Sequence, residues 1–252
     1  RVLFRSPRKP IFIALGRLQS KRVRLLELRS FADLQAWGQW LAQEGDWVGG
    51  FDLPFGLPRE LVSTLNWPTD WAACMTQYAA LSRAEIRALF KAFCDARPVG
   101  RKMAHRATDT PAGSSPSMKW VNPPVAWMFH AGSPALLAAG VHLPGLHEGD
   151  PSRVALEAYP GLLARECIGH TSYKSDDKAK HTPERLLARK HIVHALDMGQ
   201  TRLGLRLKLT HAQHDALVQD ASGDSLDAVL CLVQAAWAQT QYAAGDARYG
   251  LP

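Results

Sequence analysis

The chain has 252 residues, 46% hydrophobic and 21% charged, with a formal net charge of +7 and a pI of about 9.4. That is the balance of a globular protein with a real core, long enough for one large domain or two small ones. The sequence has neither an eighteen-residue apolar run nor a signal-peptide pattern, so a soluble, cytoplasmic protein without membrane contact is expected.

Cys74, Cys94, Cys167 and Cys231 are scattered, with no C-x-x-C pair. A zinc ribbon, a redox motif and a disulfide framework are thereby disfavoured, and buried free thiols are expected. The basic excess favours a polyanionic partner such as nucleic acid, although many basic enzymes bind none. Protein partners are not specified, and a homodimer is compatible with the composition.

Residues 1–6 (RVLFRS) match one translation frame of a common sequencing adapter and do not begin with Met, so they read as non-native sequence ahead of a domain spanning 7–252. Residues 11–16 and 22–28 are strand-like runs joined by a polar turn at 19–21, an antiparallel hairpin. Leu34, Trp37, Trp40 and Leu41 recur at helical spacing over 33–43, closed by Glu44-Gly45. The apolar run 46–52 then reads as a buried strand, stopped by Pro54 and Pro58, with a further helix at 59–65. Asp52 falls at the carboxyl end of that strand, where α/β sheets place their ligand crevice; it either holds a cation or caps the Leu53-Pro54 turn.

Over 67–143 the pattern changes. A helix is expected at 82–96, followed by two polar Gly/Pro/Ser-rich loops at 97–106 and 111–119. Arg101, Lys102, His105, Arg106 and Lys119 either reach phosphates from these loops or form a solvated basic surface. No Walker or dinucleotide glycine motif accompanies them.

The run 154–161 is a second strand ending in a turn. Glu157 interrupts it, and a carboxylate inside a buried strand must be paired with an arginine or hold a metal. Helices are expected from 162, over 184–198 behind a Thr182 cap and Pro183, and over 210–218. The 184–198 helix carries Arg185, Arg189, Lys190 and His191 on a basic side that either lines a nucleic-acid groove or is simply solvated. The last helix opens at 223. Asp224 and Asp227 share a face of its first turn; one of them as an N-cap is routine, but Asp227 is carried into the packing of Leu226, Val229, Leu230 and Val233.

Asp52, Glu157, Asp224 and Asp227 are hard oxygen donors without His or Cys, a set suited to Mg²⁺ or Mn²⁺. Two such ions support in-line phosphodiester displacement, the chemistry of nucleases. In order along the chain, GFDLPFGLP (50–58), EAYPG (157–161), SYK (172–174) and DSLDA (224–228) resemble the domain of unknown function 429 family, over nearly the whole length. That family is grouped with ribonuclease H-like, Holliday-resolvase-like nucleases.

The resemblance implies an α/β fold. Its mixed sheet has an antiparallel hairpin followed by parallel strands, is flanked by helices, and carries 67–143 as a helical and loop elaboration. It implies Asp52, Glu157, Asp224 and Asp227 as metal ligands and catalytic groups, with Tyr159 and Lys174 supporting them or facing phosphate. The family also expects a carboxylate in a first strand, where this sequence has Phe4-Arg5-Ser6. The chain as it stands is therefore expected to be weak or inactive. The resemblance thus points to a Mg²⁺- or Mn²⁺-dependent nuclease. Its alternatives are a non-catalytic nucleic-acid-binding module and a small-metabolite phosphoesterase.

Overall fold

The structure, a computed structural model, describes residues 10–250; the expectations for residues 1–6 and for a strand before Ile11 lie outside them. The chain begins with the hairpin β1 (Ile11–Gln19) and β2 (Arg22–Phe31), turning at Ser20 with φ 54°. Helix α1 (Leu34–Leu41) is capped by the Asp33 carboxylate on the Ala36 N–H at 2.8 Å and leads into β3 (Trp47–Phe51).

Helices α2 (Arg59–Thr64), α3 (Trp71–Ala80), α4 (Arg83–Asp95), α5 (Asp109–Ala112) and α6 (Val125–Ala138) follow, then the short β4 (Val141–His142) and β5 (Asp150–Glu157). The remainder is α7 (Pro160–Ile168), α8 (Pro183–Met198), β6 (Arg206–Lys208), α9 (His211–Gln219) and α10 (Asp224–Ala243).

The fold is α/β, with strands of both senses flanked by helices. Among the described residues they form two three-stranded sheets. In one, β2 is central, antiparallel to β1 and parallel to β6; in the other, β5 is central between β3 and β4, all parallel. Residues 11–16 of β1 and 47–53 around β3 face one another across a cavity of about 180 Å³, floored by Ala228, Cys231, Leu232 and Ala235 of α10. Helix α10 thus packs on both sheets. A Cβ at Gly50 would come within 2.7 Å of the Cys231 carbonyl oxygen, so glycine there lets the helix lie directly on β3.

Two large cores result. One joins Trp37 and Leu41 of α1 to Leu61, Met75, Tyr78, Ile86, Phe90 and Phe129, so the 67–143 elaboration is continuous with the β3 side rather than a separate lobe. The other sets Val23, Leu25 and Leu207 of the hairpin sheet against Ile192, Val193, Leu196, Leu226, Val229 and Val233.

The elaboration is more regular than its sequence predicts, since α3 and α6 lie where no helix is expected. Helix α6 (VAWMFHAGSPALLA) is apolar nearly all round and contains Pro134, so it has no polar stripe to reveal a helical period. The short strands β4 and β6 also escape the sequence reading. Among the described residues, no helix is long and apolar enough to cross a membrane. The four thiols are free; Cys74, Cys94 and Cys231 are buried, while Cys167 is only partly so.

Candidate functional site

Strands β3 and β5 end side by side. Phe51 is in register with Glu157, and the Ala158 N–H donates to the Phe51 carbonyl at 2.9 Å, so Asp52 and Glu157 leave the sheet together at its carboxyl edge. Beyond them opens a cleft of about 540 Å³. Its charged lining comprises Asp52, Glu157, Arg106, Arg165 and Lys174, with Tyr159, His170 and Tyr173 beside them. Pro54, Pro123, Val125, Met128 and Ile168 give it an apolar wall.

Glu157 is fully engaged. Arg106 grips it as a fork, Nη1 to Oε2 at 2.6 Å and Nη2 to Oε1 at 2.7 Å, and the Phe55 N–H donates to Oε2 at 2.9 Å. The same guanidinium donates to Asp109 Oδ1 through Nε at 3.0 Å and Nη2 at 2.8 Å, and Asp109 is wholly buried. Burial works against the Arg106 charge, but Glu157 and then Asp109 outweigh it and hold the guanidinium above its ordinary pKa. Glu157 therefore ties the turn after Asp52 to the loop before α5. Of the two readings open for it, the structure adopts the arginine pair.

At the other end, Asp227 is wholly buried in the first turn of α10. Its Oδ1 accepts from the Tyr173 hydroxyl at 2.5 Å, and its Oδ2 accepts from the Lys174 ammonium. Burial, with the Asp227 charge next, pushes the Tyr173 phenol well above its ordinary pKa, so its proton stays in place as a donor. The Asp52 charge acts on both Tyr173 and Cys231, which puts Asp52 near this group.

The loop carrying Tyr173 and Lys174 is held from behind. Arg189 is 4% exposed and donates to the Tyr173 carbonyl and to the Val218 carbonyl, each at 2.7 Å, while Arg185 donates to the Lys174 carbonyl. Arg185 and Arg189 of α8 thus turn inward, whereas Lys190 and His191 of the same basic side are exposed. Gly223, at φ 72°, lets the chain pass close to the Lys174 stem; a Cβ there would meet Lys174 Cβ at 2.7 Å. Asp220 fixes the start of α10 by accepting from the Ser225 N–H at 2.9 Å and the Ser222 hydroxyl at 2.6 Å.

The cleft therefore gathers Asp52, Glu157, Tyr159, Lys174 and Arg106 from the sequence-predicted set. Asp227 stands behind it, reached through Tyr173 and Lys174. Asp224 does not line it; that residue is 4% exposed and accepts from the Ser222 hydroxyl at 3.1 Å. Arg101, Lys102, His105 and Lys119 are absent from the lining as well. Lys102 instead lies 4.0 Å from Asp95, and Arg101 and His105 are exposed.

Among the described residues, no group of three or more His, Cys, Asp or Glu side chains is arranged to hold a metal ion. The physical reason is local, since Glu157 and Asp227 already face a guanidinium and an ammonium. A two-ion cage built from all four carboxylates does not fit this arrangement.

Three lining residues with ionisable side chains have no role in the sequence reading. Arg165 donates to the Tyr159 hydroxyl at 3.1 Å and to the Ala112 carbonyl at 2.5 Å, with its guanidinium 5.1 Å from the Tyr159 ring centre. Its signal was an arginine on the helix that starts at EAYPG. Tyr173 sat within the quoted SYK motif without a role, and His170 gave no signal.

A family model described as "Protein of unknown function (DUF429)" matches residues 11–249. Neither the curated proteins nor the solved structures contain a match.

Proposed function

The chain belongs to this family of unknown function, and from that premise we propose that it is a divalent-cation-dependent hydrolase of phosphodiester bonds, acting on nucleic acid and allied to the ribonuclease H-like nucleases. The observation that carries this reading is the pairing of the β3 and β5 ends. Asp52 and Glu157 emerge there together, into a cleft that also presents Lys174 and Arg165.

A two-ion cage is not part of the proposal. Mg²⁺ commonly keeps several waters and takes only one or two protein carboxylates plus substrate phosphate oxygens, and Asp52 is the carboxylate that would hold it here. When bound, the ion supplies Lewis-acid activation of water and neutralises phosphate charge.

The chain's own groups do the rest. Lys174 and Arg165 balance the charge of the phosphate oxygens. Glu157 fixes the Asp52 turn through Phe55 and holds Arg106 in the wall, while the prolines, Val125 and Met128 seat the apolar part of a nucleotide. Hydrolysis forms a P–O bond from water and breaks the ester P–O bond, and a proton from the water ends on the leaving oxygen.

A second reading, a phosphoesterase for a small metabolite, is favoured by one feature. The cleft, about 540 Å³, has the size of a small-molecule pocket, and four of the loop cations expected to track a polyanion lie outside its lining. Both readings are tested by a panel of DNA, RNA, hybrid and mononucleotide ester substrates with Mg²⁺ or Mn²⁺. Asp52→Asn is expected to lower turnover by about a hundredfold or more. Cleavage of polymers alone supports the first reading, and cleavage of monoesters alone the second. Nucleic-acid binding with no cleavage by either protein would refute both and leave a binding module.

A further inference from the structure

Of the three described arginine and lysine side chains that line the cleft, two are already neutralised. Arg106 is shared by Glu157 and the buried Asp109, and Lys174 sits on Asp227. Arg165 is different. Half-buried on α7, it has neutral partners only, the Tyr159 hydroxyl on Nη1 and the Ala112 carbonyl on Nη2, with its guanidinium over the Tyr159 ring. Among the described residues no carboxylate pairs with it, and Asp52 acts at the other end of the cleft, on Tyr173.

Taking a guanidinium partly out of water without a counter-charge is costly, and this is the place where the cleft does so. An arginine carries five N–H donors, and two are bonded here. The other three have no acceptor among the described residues, so the side chain is fixed while part of its fork stays open.

The surroundings favour a phosphate. Arg106 and Arg165 hold opposite ends of the short α5, one through Asp109 and the other through Ala112, so both guanidiniums border the same rim. Val125 and Met128 give the cleft an apolar wall, and its volume of about 540 Å³ is that of a small-molecule pocket. A planar fork matches phosphate oxygens, and a terminal phosphate brings it about two negative charges where an internal diester brings one.

We propose that Arg165 anchors a phosphomonoester subsite, in which the cleft takes the terminal phosphate of a nucleotide on the Arg165 fork, with the nucleoside along Val125 and Met128, and binds it without a metal ion. Tyr159 is the positioning residue that orients the guanidinium. The proposal rests on the hydrolase reading for the nucleoside part of the ligand. It goes beyond that reading because the monoester is the group that ester hydrolysis leaves behind, and holding it requires no ion.

Isothermal titration calorimetry in EDTA, with the four ribonucleoside 5′-monophosphates as probes, tests this apart from turnover. The wild type is expected to bind at least one of them, and to bind its methyl diester and the free nucleoside about tenfold more weakly or worse. Arg165→Met should weaken the monophosphate about thirtyfold, and Arg165→Lys, which keeps the charge and loses the fork, about tenfold. Tyr159→Phe should cost about threefold and leave the affinity for the free nucleoside unchanged. Thermal unfolding identifies any variant that has not folded, and the ligand series on the wild type then still decides. A 5′-phosphorylated tetranucleotide that binds more tightly than the mononucleotide makes a strand end the source of the phosphate; weaker or equal binding makes it a free nucleotide.

No binding of any monophosphate by the wild type, equal affinity for the methyl diester, or folded Arg165→Met that binds as the wild type does would each overturn the proposal. The hydrolase reading falls separately. Metal-free binding with no cleavage once Mg²⁺ is restored defeats that reading and leaves the subsite, while cleavage without metal-free binding defeats only the subsite.

Discussion

At one end of the cleft Glu157 meets Arg106, a cation that Asp109 holds from its other side; at the opposite end Asp227 meets Lys174, a cation with no second carboxylate bonded to it among the described residues. The exposures are also reversed, since the Glu157 side chain is 30% exposed while that of Asp227 is completely enclosed. A brace built around a shared guanidinium tolerates losing one carboxylate, because the other still satisfies the charge. A single ammonium on a buried carboxylate has no such reserve. The first arrangement suits a wall that must keep its shape, and the second suits a group held ready to face an incoming charge.

The largest expected effect follows from removing the shared cation. Arg106→Met leaves Glu157 and the buried Asp109 without their guanidinium and should cost about 3–5 kcal/mol, read from urea unfolding midpoints. Glu157→Gln breaks only one arm. Arg106 keeps Asp109, and the amide oxygen can still accept from Phe55, so the loss should be about 1–2 kcal/mol. Equal losses in the two variants would show that Asp109 does not share the load.

The smallest effect is on the acid side. Burial alone would raise the Asp220 carboxyl, but bonds from Ser222 and Ser225 outweigh it and hold it below the ordinary carboxylate range. A depressed carboxylate contributes stability that is fully present above its unfolded pKa and is lost as pH falls through its folded pKa. The stability difference between wild type and Asp220→Asn should therefore be constant above about pH 5 and shrink below about pH 4. A difference that grows on acidification would reverse the assigned sign.

Much of this geometry was legible because it is local. The apolar run that stops at Asp52-Leu53-Pro54, the Glu157 interruption in β5 and the carriage of Asp227 into α10 all follow from period and punctuation. The partners were not legible. Arg106 and Glu157 lie 51 positions apart, and Lys174 and Asp227 lie 53 apart, joined by loops whose course no periodicity reports. Arg106 accordingly read as either reaching phosphates or lying in a solvated basic loop, and Arg189 as part of a basic face. The first is a cleft-wall brace, and the second is buried on two carbonyls. Helix α6 hid for the opposite reason, being too uniformly apolar to show a period.

The most direct measurement is the anomalous scattering of crystals soaked with Mn²⁺ and inorganic phosphate. The account predicts one Mn²⁺ peak against the Asp52 carboxylate, with Lys174 still on Asp227 and Arg106 still on Glu157. A peak between Glu157 and Asp227, with those two cations displaced, would contradict it.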